Sequence, residues 1–212
     1  MIYLISDTHG EYTDAIAEYL DMDGEDDILI ILGDVGICFG EDEANREFDR
    51  LFFSSDKKIA FLDGNHENFK YIYSFPEEIW CGGRVHRLSE STVHLERGYI
   101  YEIDGKSFFV FGGCKSSEKW KTSGLWQPEE TPTEEELHRA YSNLEGHGRK
   151  VDYILTHKYE TRGGAGDETL FELCDFIDKN VTFKHWYAGH WHLSEKIDEK
   201  HTVVYSELLA LE

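Results

Sequence analysis

The sequence predicts an α/β fold, and three observations predict it. Short, almost continuously apolar runs recur along the chain, helix-length segments separate them, and five of the runs stop at a small polar cluster. Continuous apolar runs joined by helical crossovers are what a parallel sheet covered on both faces requires. Ile2-Tyr3-Leu4-Ile5 is the first run; it stops at Ser6-Asp7, and Ile16, Tyr19 and Leu20 follow at helical spacing. Ile28-Leu29-Ile30-Ile31-Leu32 ends at Gly33-Asp34, before a helical stretch around Ala44 to Phe53, and Ile59-Ala60-Phe61-Leu62 ends at Asp63-Gly64-Asn65-His66. From Arg84 to Phe111 the segments shorten to Val93–Leu95, Tyr99–Ile103 and Ser107–Phe111, with turns at Gly98 and Asp104-Gly105; hairpin-linked antiparallel strands are expected there. Thr133 and Glu136 form a capping box, and Leu137, Ala140, Tyr141 and Leu144 keep helical spacing until Gly146. Tyr153-Ile154-Leu155 ends at Thr156-His157, and Phe183 to Ala188 ends at Gly189-His190-Trp191-His192. Between them a helix from Asp167 buries Leu170, Leu173, Cys174 and Ile177.

At 212 residues, with 40% hydrophobic and 14% aromatic content, the chain can bury a substantial core. No Pro-, Gly- or Ser-rich linker and no internal repeat divides it, so residues 1–212 read as one domain. Met1 to Ser6 lack a basic leader, and no run reaches membrane-spanning length; a cytoplasmic protein is the expectation. Cys38, Cys81, Cys114 and Cys174 form no CxxC pair, so buried or half-buried free thiols are expected rather than a zinc knuckle or a disulfide framework. A formal charge of −22 repels nucleic-acid backbones and anionic membranes, so neither is an expected partner; the oligomeric state is not legible.

In open α/β sheets, ligands bind beyond the carboxyl ends of the strands. Here those ends are Asp7-Thr8-His9, Gly33-Asp34, Gly64-Asn65-His66-Glu67, Thr156-His157 and Gly189-His190-Trp191-His192, and they hold five of the eleven histidines. One residue between Asp7 and His9, or between His190 and His192, puts both side chains on one side of an extended segment. Singly, Asp7 could cap a helix, Asn65 could sit in a turn and His157 could be a hydrogen-bonded buried histidine. Five agreeing strand ends favour a metal site, and mixed imidazole and carboxylate donors suit Zn²⁺, Mn²⁺ or Fe.

The ordered pattern Asp7-x-His9, Gly33-Asp34, Gly64-Asn65-His66-Glu67, His157 and Gly189-His190-x-His192 resembles the calcineurin-like metallophosphoesterase superfamily and spans residues 7 to 192. The resemblance implies a four-layer α-β-β-α sandwich of two mixed β-sheets flanked by helices. It implies two divalent metal ions (Mn²⁺ favoured, or Fe²⁺/Fe³⁺ or Zn²⁺), one held by Asp7, His9, Asp34 and His192 and the other by Asp34, Asn65, His157 and His190, with Asp34 bridging. A hydroxide between metals about 4 Å apart would attack phosphorus in line. His66 would be the general acid for the leaving group, or else a residue that orients a ligand. Relatives with GDxxDRG and RGNHE grip phosphomonoesters through arginines; Gly33-Asp34-Val35-Gly36-Ile37-Cys38 and Asp63-Gly64-Asn65-His66-Glu67 carry neither arginine, which favours a phosphodiester or small nucleotide-type substrate. A phosphomonoesterase or protein phosphatase of the same fold, a nuclease and a non-catalytic metal-binding scaffold are the alternatives.

Two further segments offer phosphate contacts. Lys115, Lys119 and Lys121, with Trp120 and Trp126, lie in the long stretch from residue 112 to 132, and Arg162 precedes Gly163-Gly164-Ala165-Gly166 ahead of a helix start. A solvated loop with its tryptophans packed on the core is the competing reading of the first.

Overall fold

All five residues of Ile28–Leu32 are buried, which an exposed sheet face does not allow. Alternation explains it: Ile28, Ile30 and Leu32 enter one hydrophobic cluster while Leu29 and Ile31 enter another on the opposite face. This strand is β2 of a computed structural model that describes residues 1–40, 43–116, 126–160 and 168–211. β1 (Ile2–Ile5) and β3 (Lys58–Leu62) flank it in parallel, residue against residue from Ile2 opposite Ile28 and from Ile28 opposite Lys58.

Around these three, the first sheet adds β4 (Glu77–Trp80), β5 (Gly83–Arg87), β6 (Thr92–Leu95) and β13 (Leu209–Leu211), in the order β13-β1-β2-β3-β6-β5-β4. The second sheet runs β11-β12-β10-β9-β8-β7, built from β7 (Tyr99–Ile103), β8 (Lys106–Phe111), β9 (Tyr153–Thr156), β10 (His185–Ala188), β11 (Glu195–Lys196) and β12 (His201–Val203). β8, β9, β10 and β12 are mutually parallel, while β7 and β11 pair antiparallel at the two edges. Ile30 and Leu62 from the first sheet and Phe108, Val110 and Leu155 from the second share one buried cluster, so the sheets pack face to face.

Helices cover the outer faces. α1 (Asp14–Asp21), α2 (Glu43–Ser54) and α3 (Phe69–Ile72) place Ile16, Tyr19, Phe48, Phe52 and Ile72 on Leu29, Ile31 and Phe61. α4 (Glu134–Gly146) and α5 (Glu168–Asn180) place Ala140, Leu144, Leu173 and Ile177 on Phe109, Ile154 and Trp186. The result is the four-layer α-β-β-α sandwich of mixed sheets. Thr133 caps α4 as expected, with both halves of the capping box present. The last helix buries Leu170, Leu173, Cys174 and Ile177 as its spacing predicts; Asp167, its expected start, lies outside the described residues.

One expectation needs correcting. Val93–Leu95 does not continue into a hairpin series with Tyr99–Ile103: β6 pairs in parallel with β3 and antiparallel with β5, whereas β7 belongs to the other sheet. Glu96-Arg97-Gly98 carries the chain across, with Gly98 at φ +79° where a side chain would lie 2.9 Å from the Ala140 nitrogen. Among the described residues no helix is long and apolar enough to cross a membrane.

Candidate metal centre

Because β1, β2 and β3 are adjacent and parallel, Asp7, Asp34 and Asn65 emerge side by side at their carboxyl ends. β9 and β10 bring His157 and the pair His190 and His192 to the same rim from the other sheet. The sheets touch closely here: a Cβ on Gly189 would lie 1.8 Å from Ser6 Oγ, and one on Gly33 would lie 2.4 Å from His157 Nδ1. Asp7, His9, Asp34, His190 and His192 all take left-handed backbone angles, with φ of 57°, 49°, 51°, 74° and 51°. Each such non-glycine residue costs on the order of 1 kcal/mol or more, and such strain concentrates at functional sites.

The seven side chains converge in two groups. His192 Nε2 lies 3.1 Å from His9 Nε2 and 3.4 Å from Asp7 Oδ1. His157 Nε2 lies 3.2 Å from both Asn65 Oδ1 and His190 Nδ1. Asp34 stands between, its Oδ2 3.8 Å from His9 Nε2 and its Oδ1 3.6 Å from His157 Nε2. Donor atoms of Asp7, His9 and His192, and those of Asp7, Asp34 and His157, are close enough in each set to hold an ion.

These residues fit divalent cations on three counts. Asp7 Oδ1 is buried yet accepts no hydrogen bond from any described residue, an orphan that a cation would satisfy. The Nδ1–H of His157 donates to the Leu32 carbonyl at 2.8 Å, which orients the ring and leaves Nε2 as the atom facing the site. Burial, then the neighbouring His157, pushes the His190 imidazole down to about 3, so it is an uncharged donor at neutral pH. Burial also lowers His9, against the pull of Asp34 and Asp7. Burial would raise Asp34, but His157, His9 and His66 outweigh it and keep the carboxylate ionised.

Residues outside the expected ligand set hold it in place. Glu67, buried, accepts N–H bonds from Val35 at 2.9 Å, Gly64 at 3.2 Å and Gly36 at 3.4 Å, clamping the loops after β2 and β3 together. The Asn65 amide donates to Ser116 Oγ at 3.1 Å, and Ser116 donates from its nitrogen and hydroxyl to buried Glu130 at 2.6 and 2.9 Å; this turns Asn65 Oδ1 toward the site. Cys114, fully buried, places Sγ 3.2 Å from Asn65 Oδ1 and 3.6 Å from His190 Nδ1. The expected free thiol is therefore part of the site wall; the one sequence signal was Gly112-Gly113, which lets the chain turn into the rim.

His66 is half-buried at the rim, its ring centroid 5.9 Å from that of His9, and its backbone N–H donates to Asp34 Oδ1 at 2.7 Å. Lys115 is exposed. Lys119, Trp120, Lys121 and Arg162 lie outside the described residues. A cation that the sequence analysis passed over, Lys158, is buried with Nζ 2.6 Å from Glu160 and 5.4 Å from the Trp191 ring centre.

No curated protein matches the chain. Among solved structures it is similar to a phosphopantetheinyl hydrolase from Mycobacterium tuberculosis, at 16% identity and a TM-score of 0.47, over 96% of this chain and 89% of that one. Residues 1–194 match the family model described as calcineurin-like phosphoesterase. The chain belongs to the calcineurin-like phosphoesterase family and is a metal-dependent phosphoesterase.

Proposed function

We propose that the protein is a binuclear metal hydrolase of phosphodiesters or small nucleotide-type esters. Asp7, His9, Asp34 and His192 hold one metal, and Asp34, Asn65, His157 and His190 hold the other. The observation that carries this is the Asp34 carboxylate, which turns one oxygen to His9 and the other to His157 at 3.8 and 3.6 Å. A carboxylate so placed bridges two donor sets. When bound, the cations supply Lewis-acid polarisation of the phosphoryl oxygens and acidify the attacking water.

The remaining work falls to the chain itself. Glu67 and the Ser116–Glu130 pair hold Asp34 and Asn65 in position, so little reorganisation is needed as charge develops. His66, on the rim beside His9, protonates the leaving oxygen. The diester preference follows from charge: the loops after β2 and β3 carry no arginine, and Lys158 is committed to Glu160. A diester has one negative charge fewer than a monoester dianion and needs no bidentate guanidinium clamp.

Bis-p-nitrophenyl phosphate and p-nitrophenyl phosphate hydrolysis by Mn²⁺-loaded protein tests the reading, with a nucleotide panel alongside. The diester kcat/KM is expected to equal or exceed the monoester value. A monoester value more than about tenfold higher overturns the substrate assignment, and full activity of Asp34→Asn on either ester overturns the bridging role.

A further inference from the structure

We infer that Glu77, His86 and Glu96 form a separate cation site, which takes one divalent transition metal of the Zn²⁺ type at the far edge of the first sheet. Cross-strand pairing aligns the residues: Glu77 on β4 stands opposite His86 on β5, His86 stands opposite His94 on β6, and Glu96 lies two residues beyond His94. Alternation therefore puts all four on one face. One donor atom each from Glu77, His86 and Glu96 lie within 4.8 Å of one another, beside a cavity of about 320 Å³ that all three line.

Two independent features point to a cation there. Glu96 is only 9% exposed, yet its Oε1 is buried and accepts no hydrogen bond from any described residue. A carboxylate oxygen removed from water without a donor is unfavourable by an amount that a bound cation would offset. The arginines nearby do not fill that role. Arg139 Nη2 faces the other oxygen, Oε2, at 3.9 Å, and Arg84 Nη1 takes Oε2 of Glu77 at 3.3 Å. Glu96 thus keeps Oε1 for the ion while Arg139 faces its other oxygen, an arrangement usual around carboxylate ligands.

The second feature is a chain of buried hydrogen bonds that orients the His86 ring. Asp63 accepts from Arg97 through Nε at 2.8 Å and through Nη2, and it accepts from His94 Nε2–H at 3.0 Å. His94 Nδ1 in turn lies 3.2 Å from His86 Nδ1, so that nitrogen of His86 is engaged in the relay and Nε2 is the ring atom left for a ligand. A metal-binding histidine is usually oriented in this way, through a hydrogen bond at its other ring nitrogen. One imidazole and two carboxylates, with room in the cavity for water, suit Zn²⁺ with an open fourth position. Since Asp63 directly precedes Gly64-Asn65, an ion here would brace the loop that carries Asn65.

Zn²⁺ stoichiometry by equilibrium dialysis, compared between the full-length protein and its Glu96→Gln variant in wild-type and Asp34→Asn backgrounds, tests the assignment. Glu96→Gln is expected to bind one equivalent fewer in both backgrounds, whatever happens at Asp34. Exposed Glu77→Gln, which leaves the buried relay intact, should weaken the same equivalent at least about tenfold. In crystals soaked in Zn²⁺, an anomalous peak is expected between Glu77, His86 and Glu96. Equal stoichiometry in wild type and Glu96→Gln, or water alone at that position, overturns the site without touching the reading of the Asp34 centre.

Discussion

Replacing Glu67 by alanine should unfold much of the rim, and the size of the effect can be worked from its three bonds. The carboxylate accepts from Val35, Gly64 and Gly36 at 2.9, 3.2 and 3.4 Å, and the residue is 1% exposed. Each buried N–H left without an acceptor costs about 1–3 kcal/mol. Three of them, with the long Gly36 bond at the low end, together with the cavity left by the lost side chain, give about 4–6 kcal/mol. That is a large share of the ~5–15 kcal/mol that stabilises an ordinary domain. Glu67→Gln keeps one acceptor oxygen for Val35 and Gly64 and should cost only about 1 kcal/mol. Burial, then the nearby Asp34 charge, pushes the Glu67 carboxyl well above its usual range, so loss of its charge alone is not the destabilising step. Urea unfolding of both variants in excess EDTA measures the difference free of metal linkage. An alanine variant within about 1 kcal/mol of wild type would refute the clamp.

Other substitutions separate roles that geometry alone groups together. Asp34→Asn is expected to weaken both metals in a Mn²⁺ titration, whereas His66→Gln keeps them and lowers turnover by roughly 10²–10⁴-fold; a His66 variant that loses its metals as fully makes His66 structural. His201 bonds Asp198 at 2.9 Å and Asp178 at 3.0 Å, and these acids raise its pKa against the opposing effect of burial. Its stabilisation is therefore fully present below its unfolded value of about 6.5 and lost as pH rises through the folded one. The Tm deficit of His201→Gln should be larger near about pH 5.5 than near about pH 9, and an equal deficit at both counts against the ion pairs. Ile30→Ala, at a fully buried position between the sheets, should cost about 2–5 kcal/mol, against no more than about 0.5 for Ile197→Ala at an exposed one.

The parts of the fold legible in the sequence were those whose burial is symmetrical. β1, β2, β3, β9 and β10 are covered on both faces, so their apolar runs are nearly unbroken and their polar ends stand out. β4 escaped notice because it is an edge strand: Glu77, Glu78 and Ile79 are exposed, and no alternation marks them. β11, β12 and β13 have two or three residues each, too few for any period to show. At the site, His157 and the paired His190 and His192 were readable because each ends its own apolar run. Glu67 was marked only by its place in the Gly64-Asn65-His66-Glu67 motif, with no role attached, whereas Cys114, Ser116 and Glu130 act through bonds to backbone or to another side chain, and no local pattern distinguishes them from ordinary loop residues.

The centre draws Asp7, Asp34 and Asn65 from one sheet and His157, His190 and His192 from the other, and His9 meets His192 across 183 positions of chain. Nothing within either half can assemble it. The contact between His9 and His192 closes a loop of 183 positions, and contacts of such separation belong to slow, high-contact-order folding. Turnover is therefore a late reporter: in a refolding experiment, activity cannot precede docking of the two sheets, whereas helical signal from α1, α4 and α5 can. A nascent chain whose His190 and His192 are still inside the ribosome would be catalytically silent, however well its first sheet had formed.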